Sequence, residues 1–114
     1  MEEVMDSVSL SALADEHLAA ARSSNSGRSA HTVHGGHDHQ LRQTVIALAG
    51  GRDLSEHHSP GETTLQVLRG TVRLTTAEDT WEGREGDLLV VPRERHGLHA
   101  VDDAVILLTV LADS

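Results

Sequence analysis

An all-β domain, folded as a sandwich or small barrel behind one amphipathic helix, is the architecture this sequence predicts. Two observations carry it. Between Val4 and Ala21 the apolar residues recur at spacings of three and four, the period of one helix face. From about residue 40 onward the chain breaks into short β-rich runs set off by Gly and Pro roughly every 8–12 residues, the rhythm of strands joined by tight turns.

The helix comes first. Val4, Val8, Leu10, Leu13, Ala14, Leu18 and Ala21 form its stripe, and Ser7 or Ser9 can cap it. The Ser/Gly/Asn stretch "SSNSGRS" ends it. His17 sits on this helix and reads as solvent-exposed. Residues 1–22 are thus the N-terminal helix, residues 23–39 a Ser/Gly/His-rich linker, and residues 40–112 the β domain. Within that domain "RQTVIALA", "TTLQVLRG", "TVRLTT", "DLLVVP" and "AVILLTVL" read as strands.

Composition removes several function classes. A chain of 114 residues makes a single core. It has no Cys, which excludes disulfides, thiolate metal sites and cysteine nucleophiles. Eighteen acidic against nine basic side chains give a formal charge of −9, which repels phosphate backbones and anionic membrane surfaces. Nucleic acid and membrane are therefore not expected partners. No apolar run approaches the roughly 20 residues needed to cross a bilayer, and the acidic start "MEEVMDSV" is unlike a secretory signal, so the expected location is cytoplasmic. Trp81 is the only aromatic residue, so the core has to be built from Leu, Val, Ile and Ala.

Two stretches then carry a resemblance. In "GRDLSEHHSPGETTLQVLRG", Gly51, His57, Pro60 and Gly70 fall on the spacing of the first cupin motif, and in "GDLLVVPRERHGLHA", Gly86, Pro92 and His96 resemble the second. Between them lies "TVRLTTAEDTWE", the variable strand pair of that pattern. Over roughly residues 40 to 112 the chain resembles a small single-domain cupin, which implies an antiparallel jelly-roll barrel. In metal-binding cupins the first motif supplies two His and a Glu, and the second one His, around one divalent ion. Carried over by position, His57 fills the first place, while Ser59 stands in the second His place and Thr63 in the Glu place. His96 lies one residue early, with Glu94 where the motif has Gly.

The resemblance therefore implies a metal site reduced to His57 and His96, facing one cavity from different strands. Any divalent metal is expected to be weakly held, because neutral hydroxyls bind such ions far more weakly than imidazole or carboxylate. Strand alternation places Ser59, Thr63, Leu65 and Val67 on the side of His57, and His58, Glu62, Thr64 and Gln66 on the other. A bulge at Pro60-Gly61 would reverse the phase and bring Glu62 or Gln66 inward. The expected pocket is apolar, with Leu65, Val67, Leu89 and Val91 among its walls and Ser59 and Thr63 as polar groups.

Other imidazoles are read as peripheral. His58 and His99 are out of phase with their motif neighbours, and His31, His34, His37 and His39 make a dense but unfixed group, whose first two members lie near enough to reach the pocket mouth. Arg42, Arg69, Arg73, Arg93 and Arg95 read as surface charges unless one points into the barrel. The function expected is the binding of a small organic molecule by a cupin with a degenerate His site. The alternative is a metal-dependent cupin enzyme of the dioxygenase, isomerase or decarboxylase kind using His57 and His96. A homodimer is expected, since the helix stripe needs a covering surface, supplied by the barrel or a second protomer.

Overall fold

The computed structural model describes residues 5–36, 38–57 and 61–112, and of Glu56 and His57 the backbone only. The chain runs α1 (Leu10–Ser23), β1 (Arg28–His34), β2 (Leu41–Leu48), β3 (Asp53–His57), β4 (Gly61–Arg69), β5 (Thr71–Thr75), β6 (Thr80–Arg84), β7 (Leu88–Val91), β8 (His96–Ala100) and β9 (Ala104–Ala112). Two antiparallel sheets result, a five-stranded one in the order β1-β2-β9-β4-β7 and a four-stranded one in the order β3-β8-β5-β6. They enclose a core of Leu48, Leu65, Val67, Val72, Leu74, Val91, Leu98, Ala100, Ala104 and Ile106, all buried. This is the two-layer jelly roll that the resemblance implied.

Alternation decides what faces that core. On β4, Thr63, Leu65 and Val67 are buried, while Glu62 is exposed and Thr64 and Gln66 half-buried on the opposite face. The run "AVILLTVL" of β9 does not alternate, because the strand is covered twice. Its inner residue Ile106 meets the core, while Val105 and Leu107 lie under α1 with Val45 and Ala47 of β2. Beyond Leu107 the helix no longer covers the sheet, and Leu111 is 43% exposed.

The helix begins at Leu10, later than its apolar period suggests. Ser9 takes an extended backbone and its Oγ accepts the Ala12 N–H at 3.1 Å, so the cap stops helix growth there. Met5 and Val8 are left exposed, and Val4 lies outside the described residues. Ala14 and Ala21 are fully buried, and these small residues let the helix lie close on the sheet. Leu10, Leu13 and Leu18 pack beside them, so the barrel's own outer face covers the stripe.

Two expectations are corrected here. Residues 28–34, read as part of a linker, form β1, which pairs with β2 from Arg28↔Leu48 to Thr32↔Thr44. The strand is held by main-chain hydrogen bonds at a sheet edge, where polar side chains are tolerated, so apolar patterning does not reveal it. Because β1 lies beside the helix, His17 is not solvent-exposed. Its side chain is 14% accessible, its Nδ1 is 2.7 Å from Ser29 Oγ, and its ring stacks on His31 with centroids 5.4 Å apart.

One end of the barrel is tied together by the turn before β9. Asp103 accepts the Gly50 N–H at 2.8 Å and Arg22 Nε at 2.6 Å, and Asp102 accepts the Thr71 N–H at 2.7 Å. One turn thus joins the β2–β3 and β4–β5 connections to the helix C-terminus. The Gly50 N–H above all, and then the Arg22 guanidinium, hold the Asp103 carboxyl below the usual carboxylate range.

Candidate functional site

The opposite end of the barrel carries the motif residues. On β8, His96, Leu98 and Ala100 alternate inward, and His96 is 4% exposed. The sharp "PRER" connection ahead of it supplies a fixed partner. His96 Nδ1 is 2.9 Å from the Glu94 carbonyl oxygen, which can only accept, so Nδ1 carries the proton.

The strand β3 is paired to β8 with an irregularity. Leu98 stands opposite Leu54 and His96 opposite His57, so two residues of β8 are spanned by three of β3. This extra residue is a β-bulge. It sets His57 in register with inward-facing His96, which strict alternation from inward-facing Leu54 would not do. The phase change thus occurs within β3, ahead of the Pro60-Gly61 position considered from sequence. The side chain of His57, and all of His58, Ser59 and Pro60, lie outside the described residues, as does His37.

Around His96 the barrel is apolar and nearly full. Leu54, Leu65, Leu74, Val91, Leu98, Ile106 and Leu108 line a cavity of about 20 Å³ with it, room for about one water molecule. Val67 is fully buried in the same core, and Leu89 packs against the core while facing an opening between β6 and β7 beside Trp81. Thr63 is buried, and its hydroxyl donates to the Gly61 carbonyl at 3.0 Å. It also borders a larger depression of about 540 Å³, whose lining residues Glu62, Thr64, Val90, Thr109 and Leu111 belong to the outer face of the sheet.

Glu62, Gln66, His99, His31 and His34 do not converge on His96. Glu62 is exposed and Gln66 sits on the outer face of β4. His99 is on the outer face of the four-stranded sheet, where its Nδ1 lies 2.6 Å from Asp53 Oδ1. His31 faces α1, and His34 packs edge-on against His39 with centroids 4.8 Å apart. Among the described residues no three His, Asp or Glu side chains are gathered closely enough to hold a metal ion. The described donors at the motif position, one imidazole and a hydroxyl already donating to a carbonyl, do not make a three-ligand metal site.

Arg42 is the polar residue whose place the sequence did not resolve. Register carries two inner-face rows across the five-stranded sheet at its open end. Thr32 pairs with Thr44, Thr44 with Leu108, and Leu108 with Leu65. One step outward, Arg42 pairs with Val110, Val110 with Thr63, and Thr63 with Val91. Arg42 therefore stands on the rim of the barrel's open end. The alternation Arg42, Thr44, Ile46, Leu48 on β2 was the available signal. Arg69 and Arg73, by contrast, lie on outer positions near Asp15 and Glu82 respectively.

Comparison with known proteins agrees with this geometry. No curated protein matches the chain. Among solved structures, a conserved protein of unknown function from Streptococcus pyogenes aligns with a TM-score of 0.71 at 27% identity, covering 80% of this chain and 79% of that one. A cupin superfamily protein from Desulfitobacterium hafniense aligns at 0.70 and 20% identity over 75% and 78% of the two chains. KdgF from a Halomonas species aligns at 0.62 and 18% identity over 75% and 82%. The family model described as "Cupin domain" matches residues 43–111, more than half of the sequence, and the chain belongs to the cupin family.

Proposed function

We propose that this cupin is a binding protein for a small organic molecule, held at the open end of the barrel with His96 as its buried polar anchor. The observation that carries the reading is the setting of His96. A side chain 4% exposed faces a cavity otherwise lined by seven apolar ones, and a hydrogen-bonding group set among apolar walls orients a ligand. The cavity admits only a ligand's polar tip in place of a water, so the body lies outside it, at the open end of the barrel. A metal-dependent enzyme is the second reading. What favours it is the register of His57 opposite His96.

One set of measurements separates the two. Thermal-shift screening with short-chain alcohols, ketones and carboxylic acids should find compounds that stabilise the wild type. The variant His96→Leu should bind them at least about tenfold more weakly, the loss of one buried hydrogen bond. Metal content of protein purified without chelator should be well below one equivalent. A full equivalent that survives dialysis against chelator, and disappears in His57→Ala, would make the enzyme reading the better one.

We also propose a homodimer, formed by the part of the five-stranded sheet that α1 leaves uncovered. Leu41, Leu88, Val90 and Leu111 are 42%, 63%, 75% and 43% exposed on that sheet, and Leu41 stands directly opposite Leu111. Several large exposed apolar residues on one sheet face are characteristic of an interface. Light scattering at micromolar concentration should give a dimer mass for the wild type and a monomer mass for Val90→Glu. A monomeric wild type would refute the proposal.

A further inference from the structure

We infer that the pocket beneath Arg42 is a carboxylate subsite, and that the ligand is a small organic acid whose chain runs from it over Leu108 toward His96. Thr32, Gly35, Gly36, Arg42 and Thr44 line this pocket, whose volume is about 320 Å³. Its chemistry is that of an anion site. A guanidinium offers a planar fork matched to a carboxylate, and two threonine hydroxyls stand beside it as further donors.

The guanidinium is held in place from behind. Arg42 Nε donates to the His39 carbonyl at 3.3 Å, which leaves the two terminal nitrogens of the fork for a ligand. Gly35, at φ +147°, lies against the side-chain stem, and a Cβ there would come within 3.3 Å of Arg42 Cγ. In this chain acids outnumber bases by 18 to 9, yet among the described residues no carboxylate lies within ion-pairing distance of Arg42. A surface arginine that served only to balance charge would find a partner easily here. The net charge of −9 opposes any anion at long range, but screening limits that repulsion beyond about 8 Å at physiological salt, so the local donors decide.

The register sets what the rest of the ligand meets. Thr44 is the cross-strand neighbour of Leu108, and Leu108 lines the same cavity as His96. A carboxylate on Arg42 thus places the remainder of a short acid over Leu108, heading toward the barrel interior. This second half of the inference rests on the barrel being the ligand compartment. The carboxylate subsite stands without it.

Titrations followed by the backbone amide spectrum of the full chain test both halves. Acetate should shift the amides of Thr32, Gly35, Gly36 and Thr44 saturably, whereas chloride at equal ionic strength should not. Arg42→Gln should weaken acetate binding at least tenfold, and Arg42→Lys, which keeps the charge and loses the fork, should fall between. Thermal melts of both variants serve as the folding control, since Arg42 is exposed on a strand end. Hexanoate should bind at least tenfold more tightly than acetate and also move the amides of His96 and Leu108, and hexanamide should lose that gain. Equal shifts with acetate and chloride, or unchanged acetate binding by Arg42→Gln, would overturn the inference. Hexanoate no tighter than acetate, with the Arg42 effects intact, would instead keep the subsite and refute the barrel as the ligand compartment.

Discussion

Gly70→Ala is expected to destabilise the domain by about 3 kcal/mol or more, from left-handed strain together with a steric collision. Gly70 sits at φ +72° in the turn between β4 and β5. A Cβ there would run into the backbone carbonyl of Asp103, and would lie 2.7 Å from Asp102 Oδ1 and 3.0 Å from the Ala104 Cα. These groups cannot swing away. Asp102 accepts the Thr71 N–H and Asp103 the Gly50 N–H, so moving the turn breaks the ties that close this end of the barrel. Gly51→Ala is the control. Its φ of +88° is as strained, but a Cβ there meets nothing within 4 Å, so the change should cost about 1–2 kcal/mol, the backbone term alone. Urea denaturation of the two variants measures the difference, and losses within about 0.5 kcal/mol of each other would show that the turn relaxes freely.

The contrast between these two glycines marks how far sequence reasoning reached. Their places in the first motif marked both as hairpin or strand ends, and the apolar run of β9 marked a strand, though not that it is covered on both faces. These features involve residue types that local physics nearly dictates, glycine at positive φ and β-branched or Leu-rich runs in a strand. The strand β1 was not legible. Its residues Ser29, Ala30, His31 and Thr32 owe their conformation to pairing with β2, and main-chain hydrogen bonds leave no trace in side-chain patterning.

The same limit hid parts of the site. Alternation along β4 placed Thr63, Leu65 and Val67 on one face, as found. Alternation along β3 did not survive, because the bulge between Leu54 and His57 adds a residue that only the partner strand reveals. His17 was misread as exposed for the reason that β1 was missed, since β1 is what covers it. Arg42 belongs to the inner face by simple period-two counting from Leu48. Its place at the barrel mouth follows only from the register of β2, β9 and β4 taken together.

Leu65→Ala should lower stability by about 3–4 kcal/mol, the transfer free energy of the deleted atoms plus the cavity left behind. Leu65 is 2% exposed, midway along β4, with Leu108 and Leu89 as its cross-strand neighbours. The site cannot collapse easily, because those neighbours belong to strands paired along their length. Against a total stability of about 5–15 kcal/mol for a domain of this size, such a loss is severe but leaves a folded protein to study. Leu111→Ala, on the outer face at 43% exposed, should lose about 1 kcal/mol or less. The interior makes the variant informative about binding as well. The wild type has about 20 Å³ beside His96, too little for benzene, whereas the truncated side chain opens a dry apolar space next to it. Benzene at ten times its Kd should then restore about 1.4 kcal/mol to Leu65→Ala by mass action and nothing to the wild type. Stabilisation of both proteins alike would mean that the barrel already opens to ligands beyond His96, and a loss below about 1 kcal/mol would mean that its walls close over the gap.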